Sequence, residues 1–270
     1  MTTSEKIIER VRHELKFRLA SVVSNTRLTP NMARIIVHSP DLAGFKSLAY
    51  DDHVKLFFAP EGGELALPRP GPNGLIFPEG VPRPEGRDYT PRAFDPVTNN
   101  LTLDFVIHGE GIATSWAATA KPGDQIGIGG PRGSFVVRAE FDWYLLVGDE
   151  TALPAIGRRI EELPTGANVM AFVEIATAAE RQQFETNASL DMHWIARNGM
   201  TPGKLDLLVQ AIAAARFPET QGYAFVAGEA AMSKAVREHL IGARGFDEDH
   251  IKAAGYWRLG DAGFDDGHAH

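Results

Sequence analysis

Residues 87–92 read Arg87-Asp88-Tyr89-Thr90-Pro91-Arg92, and this short run determines how the first half of the chain is interpreted. It places an aromatic ring, a hydroxyl and a fixed cation on one extended segment. In a strand, Thr90 and Arg92 share one face and Tyr89 takes the other, although Pro91 interrupts regular pairing. A ligand with a flat ring and a negatively charged arm can be held from both sides of such a segment.

A flavin nucleotide has these two parts. Tyr89 offers a flat apolar partner to the ring, Thr90 offers a hydrogen-bond donor, and Arg92 offers a cation to the diphosphate. The same six residues also suit an ordinary barrel strand with surface arginines. The run alone leaves both interpretations open.

A second motif, from His108 to Trp116, follows a β-rich run and contains Gly109 and Gly111. These glycines free the backbone just before Ala113, Thr114 and Ser115, which are placed to open a helix. The first turn of a helix offers unpaired amides to a phosphate. A plain helix start is the alternative, but the position of the motif some twenty residues after Arg92 favours a phosphate site.

The chain before residue 139 is rich in short β-type runs punctuated by proline and glycine, which predicts a small antiparallel barrel as a first domain, residues 1–138. A four-residue apolar repeat after Ser4 predicts a short helix over residues 4–15 ahead of it. The predicted strands include Met32–Val37, Val54–Phe58, Tyr89–Phe94, Leu101–Ile107 and Gln125–Ile128.

The second domain, residues 139–270, shows strands alternating with helices, which predicts a parallel, doubly wound α/β sheet. The fold class is therefore a two-domain β plus α/β architecture. The predicted elements are Trp143–Gly148, Thr151–Leu163, Val169–Ile175, Met192–Ile195, Leu205–Ala215, Tyr223–Ala227 and Ala230–Ile241.

Composition limits the chemistry. The 270 residues are 44% hydrophobic and 23% charged with a formal net charge of −8, so an anionic ligand must meet locally clustered lysines or arginines. There is no cysteine, which excludes disulfides, thiol catalysis and cysteine-ligated iron–sulfur clusters. Redox chemistry would then need an organic cofactor. The charged N-terminus lacks a signal-peptide core, so we expect a cytoplasmic protein.

The turn Gly148–Ala155 follows the first strand of the second domain, where an open parallel sheet receives a nucleotide. This location favours NADH or NADPH, yet the segment lacks a G-x-G-x-x-G pattern and carries Asp149 and Glu150, which would repel a diphosphate. Further on, Glu174 suits a ribose 2′-hydroxyl and Arg181 a 2′-phosphate, so the preferred nucleotide stays open. Two roles stay open for Glu229, which follows a later strand: a contact to the nicotinamide of the nucleotide, and simple capping of the next helix.

Taken in order, these segments resemble the siderophore-interacting proteins, a branch of the ferredoxin-reductase superfamily. The resemblance spans nearly the whole chain and is carried by the two motifs above, the turn Gly148–Ala155, and four more segments: Asp52–Leu56, Lys121–Asp124, Gly130–Gly133 and Gly255–Gly260.

The resemblance implies a six-stranded antiparallel FAD-binding barrel, a parallel α/β domain of the pyridine-nucleotide type, and a C-terminal tail that returns to the flavin. For His108 and Trp257, a core histidine and a core strand filler are the alternatives. The implied FAD contacts are Arg87, Tyr89, Thr90, Arg92, Val106, His108, Gly111, Ala113, Thr114, Ser115, Thr151, Tyr256 and Trp257. The implied contacts to an anionic ferric siderophore are Lys55, Arg132, Lys252 and Arg258.

The leading hypothesis is an FAD-dependent ferric-siderophore reductase that takes electrons from NADH, NADPH or a ferredoxin and releases iron(II). It needs no protein nucleophile and no permanent metal site. Two alternatives remain: a flavin reductase that exchanges electrons with a protein partner, and a siderophore or flavin carrier without turnover. We expect a monomer with no nucleic-acid or membrane partner.

Overall fold

The computed structural model forms two compact units, one of Ile8–Val137 and one within Arg138–Ala269. The residues that it describes are 8–60, 62–72, 74–109, 111–137, 140–204, 206–261 and 264. No helix among them is long and apolar enough to cross a membrane.

The first unit is built on a seven-stranded antiparallel sheet with the order β7-β4-β10-β2-β3-β9-β8. A two-stranded sheet of β1 and β11 and a hairpin of β5 and β6 accompany it. The strands are β1 (Ile8–Arg12), β2 (Phe17–Thr29), β3 (Met32–His38), β4 (Val54–Phe58), β5 (Arg69–Gly71), β6 (Gly74–Ile76), β7 (Glu85–Tyr89), β8 (Pro91–Asp95), β9 (Asn100–Val106), β10 (Gln125–Gly129) and β11 (Gly133–Val137).

The two edge strands of the large sheet, β7 and β8, are consecutive in the chain and are joined through Thr90. The sheet therefore curves until its edges meet at this residue, which produces the expected barrel. The continuous strand predicted over Tyr89–Phe94 is wrong at its start, because Pro91 cannot donate to a ladder and the chain changes pairing partner here, from β4 to β9.

Alternation along β9 shows how the sequence forms this barrel. Leu101, Leu103 and Phe105 are fully buried in the barrel core, while Asp104 points to the other face. One helix, α1 (Ile112–Thr119), follows β9 and contributes Ala113 and Ala117 to the same core.

The helix predicted over residues 4–15 is wrong in its described part. Ile8–Arg12 form strand β1, which pairs antiparallel with β11 from Ile8↔Val137 to Arg12↔Gly133. The four-residue apolar spacing was a weak signal, and the unpaired edge of β11 offers this segment a full ladder of backbone hydrogen bonds. Residues 4–7 lie outside the described part of the chain.

The second unit contains a five-stranded parallel sheet with the order β14-β13-β12-β15-β16. Its strands are β12 (Trp143–Gly148), β13 (Asn168–Ile175), β14 (Ser189–Ala196), β15 (Gly222–Glu229) and β16 (Ile251–Trp257). Its helices are α2 (Leu153–Glu162), α3 (Leu207–Ala214) and α4 (Ala230–Arg244).

This sheet confirms the predicted parallel α/β architecture. Strands β12 and β15 are both buried along their whole length, as expected for central parallel strands covered on both faces. The strand order reverses between them, so the loops after β12 and β15 meet at a topological switch point, where open α/β sheets bind ligands.

Candidate functional site

The corner between β7 and β8 brings Tyr89, Thr90 and Arg92 together in the first unit. Thr90 and Arg92 are each 7% exposed, and the Tyr89 ring is half-buried with its centroid 4.4 Å from that of Phe105. Burial raises the pKa of Tyr89, so its phenol stays neutral at physiological pH. The corner thus offers a neutral aromatic surface beside a buried guanidinium.

Arg92 is held by an acidic residue that the sequence analysis did not identify. Asp104 lies on the outer face of β9 and accepts hydrogen bonds of 2.7 Å from both Nε and Nη2 of Arg34. The Nε atom of Arg92 lies 3.8 Å from Oδ2 of the same carboxylate. The three side chains together carry one net positive charge, suited to an anionic group.

The start of α1 supplies a second set of phosphate-binding groups. Its N-cap, Gly111, makes no side-chain capping hydrogen bond, so the first amides of the helix are not satisfied by a capping residue. Gly109 has φ +53°, a left-handed conformation that favours glycine. A Cβ atom added at either glycine would meet no atom within 4 Å, so the space beside this turn is open.

Of the other FAD contacts predicted in the first unit, all but Arg87 lie on or beside β9 and α1. His108 is exposed rather than the buried core histidine of the alternative interpretation. Thr114 donates a long hydrogen bond of 3.5 Å to the carbonyl of Val106, and Ser115 is exposed. Arg87 lies on β7, where it donates to Glu85 and to the carbonyl of Gly86.

These groups fit the diphosphate and the flavin ring of FAD. A buried arginine, an uncapped helix start and open space beside two glycines suit a diphosphate, and the half-buried Tyr89 ring suits the flavin. The role of each residue stays a prediction.

In the second unit, Asp149 is the centre of the loop after β12. Its Oδ1 atom accepts from the backbone amide and the hydroxyl of Thr151, at 2.9 and 2.5 Å. Its Oδ2 atom accepts from the amide of Glu229 and from Nε1 of Trp257, at 2.9 and 2.8 Å. Burial raises the pKa of Asp149, and the hydrogen bond from Thr151 opposes that shift.

The neighbouring carboxylate, Glu150, is also engaged within the protein. Arg197, which follows β14, donates to both oxygens of Glu150 at 2.8 and 2.6 Å and to Glu174 at 3.1 Å. Burial raises the pKa of Glu174, with Arg197 acting in the opposite direction. Asp149 and Glu150 therefore both accept hydrogen bonds from groups inside the fold. These bonds weaken the expected repulsion of a diphosphate.

The two predicted selectors of the nucleotide ribose differ in their surroundings. Glu174 is 4% exposed and bound to Arg197, while Arg181 is exposed. The expected capping role of Glu229 is confirmed, because its Oε2 atom accepts from the amide of Met232 at 2.9 Å. Its Oε1 atom accepts from the amide of Leu259 at 3.3 Å.

The predicted tail residues run from Lys252, near the start of β16, to Arg258, just beyond its end. Trp257 is bound to Asp149, Tyr256 is half-buried, and Lys252 pairs with Phe225 of β15. The Arg258 guanidinium lies 4.5 Å from the ring centroid of Phe264.

The two predicted siderophore contacts of the first unit are accessible. The Nζ atom of Lys55 on β4 lies 2.9 Å from Oδ2 of Asp88, and both side chains are about two-fifths exposed. Arg132 is exposed in the loop between β10 and β11. The predicted residues are therefore divided between the two units.

The sequence did not point to three charged side chains of these two sites: Arg34, Asp104 and Arg197. Arg34 and Asp104 lie in β-type runs, where the only signal was a charged residue at the strand centre. Arg197 had no local signal, because its partners are 47 and 23 residues away.

Comparison with known proteins connects these two units with one family. Residues 21–135 match the siderophore-interacting FAD-binding domain, and residues 141–260 match the siderophore-interacting protein family. The NADPH-dependent ferric-chelate reductase of Escherichia coli is 33% identical over 261 residues, covering 95% of this chain and 99% of that protein. The ferric vibriobactin reductase of Vibrio cholerae is 32% identical, covering 90% of each chain.

A solved structure is similar to this chain over nearly its whole length. The crystal structure of a siderophore utilization protein from T. fusca superposes with a TM-score of 0.88 at 42% identity, covering 95% of this chain and 99% of that one. An FAD-type cradle on the barrel and a nucleotide-type edge on the parallel sheet thus occur in a chain that matches these relatives along nearly its whole length. It belongs to the siderophore-interacting protein family, whose barrel is an FAD-binding domain.

Proposed function

We propose that this protein is an FAD-dependent ferric-siderophore reductase that takes electrons from NADPH and releases iron(II). The observation that carries the proposal is the β7–β8 corner, where a buried Arg92 and an uncapped helix start form an anion cradle beside Tyr89. The relatives named for ferric-chelate and ferric-vibriobactin reduction match both units of the chain.

When bound, FAD supplies the conversion of two-electron donation by NADPH into single-electron transfer to iron(III). The residues of this chain bind and orient it. Arg92 and the first amides of α1 neutralise the diphosphate, Tyr89 packs against the ring, and Thr90 offers a hydroxyl to it. The remaining proposed contacts are Arg87, Val106, His108, Gly111, Ala113, Thr114 and Ser115 in the first unit, and Thr151, Tyr256 and Trp257 in the second.

The carboxyl edge of the parallel sheet is the proposed NADPH site. Asp149 accepts from Trp257 and Glu150 accepts from Arg197, so the acidic turn works as internal scaffolding. Arg181, which is exposed, is the cation available to a 2′-phosphate near this edge.

Ferric siderophores are commonly anionic, so basic side chains are needed to bind them to a chain of net charge −8. Lys55 and Arg132 of the first unit and Lys252 and Arg258 of the second are the proposed contacts. The Lys55–Asp88 pair is exposed, and such pairs contribute only about 0–1 kcal/mol to stability. Lys55 can therefore leave Asp88 and pair with an anionic ligand at little cost. Reduction lowers the charge of the iron, which weakens its hold by hard oxygen donors and permits release.

Anaerobic stopped-flow absorbance tests this function. The protein is reduced with NADPH, or separately with NADH, and then mixed with a ferric catecholate or a ferric hydroxamate in the presence of an iron(II) trap. We expect flavin absorbance to return with two trapped iron(II) ions per reduced flavin. If the reduced absorbance persists beside every chelate, the protein is a flavin reductase or carrier of another kind.

Ferredoxin is a second candidate donor. The turn after β12 lacks a glycine-rich dinucleotide pattern, which favours a donor other than a nucleotide. Reduced ferredoxin, tested without NADPH, would then reduce the flavin faster than NADPH does; slower reduction leaves NADPH as the donor.

We also propose that the protein works as a monomer in the cytoplasm, where its proposed donor NADPH is kept reduced. Light scattering after size-exclusion chromatography measures the mass against the 29.4 kDa of one chain. Fractionation of the native cells, with a cytoplasmic marker enzyme, tests the location.

A further inference from the structure

A small basic cavity lies in the first unit, where β2 begins and β10 ends. Its volume is about 220 Å³, and its charged lining consists of Arg12, Lys16, Arg18 and Lys46 with His13 and Glu14. Four cations against one carboxylate make a concentrated positive site in a chain of net charge −8. None of its charged lining residues has a role in the reductase function proposed above; Arg132, a proposed siderophore contact, follows the lining residue Pro131.

Arg18 is the buried base of this cavity. It is 6% exposed, and its guanidinium donates to backbone carbonyls: Nε to Asp41 at 2.9 Å, and Nη1 to Gly130 at 2.9 Å. No described carboxylate lies within 4 Å of it, and its Nη2 atom donates to no described group. A buried cation without a counter-ion is costly, so the site favours an external anion.

The burial of this cation has a measurable consequence for the group itself. Burial lowers the pKa of Arg18, while the more distant carboxylates of Asp41 and Glu14 act in the opposite direction. The Arg18 guanidinium carbon lies 5.4 Å from the Phe45 ring centroid, and its hydrogen-bond acceptors are backbone carbonyls, so none of these described partners carries a full negative charge.

The other cations surround the opening. Arg12 and Lys46 are exposed, and neither forms an ion pair with any described residue. Lys16 pairs with Glu14 at 3.1 Å, but both side chains are mostly exposed, and such a pair is weak. All three can turn toward an anion that sits on Arg18.

The lining segment is fixed in place rather than loose. His13 Nε2 lies 2.8 Å from Ser134 Oγ, which donates its single proton to Asp52 at 2.6 Å. Since the hydroxyl proton is committed to Asp52, His13 donates to Ser134. Ser134 is fully buried, and the backbone amide of Gly130 donates to Lys16 at 3.0 Å.

The cavity is separate from the proposed diphosphate cradle. Met32, at the start of β3, pairs with Val106, just before the loop to α1, whereas the cavity adjoins the loop that follows His38 at the other end of β3. At about 3.3 Å per residue, the six steps from Met32 to His38 separate the cavity from the loop that leads to α1 by roughly 20 Å along β3.

We propose that this cavity binds a compact, multiply charged oxyanion: a phosphate or pyrophosphate group. The planar guanidinium of Arg18 presents a free nitrogen to one oxygen, and Arg12, Lys16 and Lys46 neutralise the remaining charge. The volume equals several water molecules at about 30 Å³ each, enough for one or two phosphate groups but too small for a nucleotide.

Isothermal titration calorimetry of the FAD-loaded protein tests this proposal, with inorganic phosphate, pyrophosphate and chloride as titrants at constant ionic strength. We expect one saturable site per chain, tightest for pyrophosphate and absent for chloride. Glycerol phosphate, as a further titrant, distinguishes a free anion from the end group of an ester: binding assigns an end group, and its failure beside bound phosphate assigns the free anion.

Matched variants locate the binding. Lys46→Ala and Arg12→Ala remove exposed side chains and should each weaken pyrophosphate binding at least threefold, with Lys46→Glu abolishing it. Lys121→Ala makes the same charge change at an exposed position in the same unit and should bind like the wild type. Arg18→Lys keeps the charge, loses the planar fork and should weaken binding tenfold.

Three results would overturn the proposal. The first is the absence of saturable binding with either phosphate. The second is equal affinity in Lys46→Ala, Arg12→Ala and Lys121→Ala. The third is phosphate binding that releases FAD, measured by flavin fluorescence, because that result locates the anion in the diphosphate cradle.

Discussion

The hydrogen bond between Asp149 and Trp257 gives a sharp test of how the acidic turn is used. Asp149 faces four donors, and a carboxylate can accept from all of them because it has two acceptor oxygens and no proton. Asp149→Asn replaces one oxygen by an NH₂ group. The best orientation keeps the carbonyl oxygen toward Glu229 and Trp257 and lets the Thr151 hydroxyl rotate to accept, which leaves the Thr151 amide unpaired.

The expected cost follows from these contacts. One buried, unpaired amide costs about 1–3 kcal/mol, and the remaining bonds lose their charge assistance, so we expect Asp149→Asn to destabilise the loop by about 2–4 kcal/mol. Trp257→Phe removes a donor to a charged acceptor, at about 1.5–3 kcal/mol, but only about 0.5–1.5 kcal/mol once position 149 is neutral. The double-mutant cycle should therefore show a coupling of about 1 kcal/mol, from which the loss of indole volume cancels.

Native-state hydrogen exchange, read by mass spectrometry on the segments that contain Thr151 and Glu229, measures the opening free energy of this loop without assuming that both units unfold together. Asp142→Asn is the control, because Asp142 is exposed and accepts from the amide of Gln221 at 3.2 Å. A coupling within about 0.3 kcal/mol of zero, or a control as damaging as Asp149→Asn, would refute the reasoning.

Three further outcomes are expected. Arg92→Ala should weaken FAD binding about 10- to 150-fold in fluorescence titration. The fold should be retained, because Arg34 still pairs with Asp104. Lys252→Ala is the comparison, and equal FAD affinity in the two variants would show that Arg92 does not contact the diphosphate. Burial raises the pKa of Glu174, so its contribution to stability is largest below its unfolded pKa of about 4.3 and is lost as the pH rises through the folded pKa. The urea midpoint of Glu174→Gln minus that of the wild type should therefore increase between pH 4 and pH 7. A difference that stays constant over this range would contradict the argument. Gly228→Ala should lower the free energy of unfolding by at least about 2 kcal/mol, since φ is +137° and the new Cβ would lie 2.6 Å from Asp149 Oδ2. Gly242→Ala in α4 is the control: a Cβ there has open space, so this change should be neutral or stabilising in the same urea titration.

Local pattern was enough for most elements of the fold. The strands predicted at Val54–Phe58 and Trp143–Gly148 coincide with β4 and β12, because each is a short run rich in β-branched, aromatic or other large apolar residues. The helix predicted over residues 4–15 failed because a four-residue apolar spacing cannot reveal that the edge of β11 is available for pairing. The corner at Thr90 was missed for a similar reason, since a change of pairing partner is a property of three strands rather than of one.

The sequence by itself determined the two-domain order, the strand and helix content, and the motif residues that point to FAD, because these depend on side-chain type and short spacing. Only the tertiary structure decided what the charged residues do. It paired Asp104 with Arg34, turned Asp149 toward Trp257, joined Glu150 and Glu174 through Arg197, and gathered Arg12, Arg18 and Lys46 around one cavity. These partners are distant in the chain, and an electrostatic interaction depends on separation and burial in space, which no local spacing specifies.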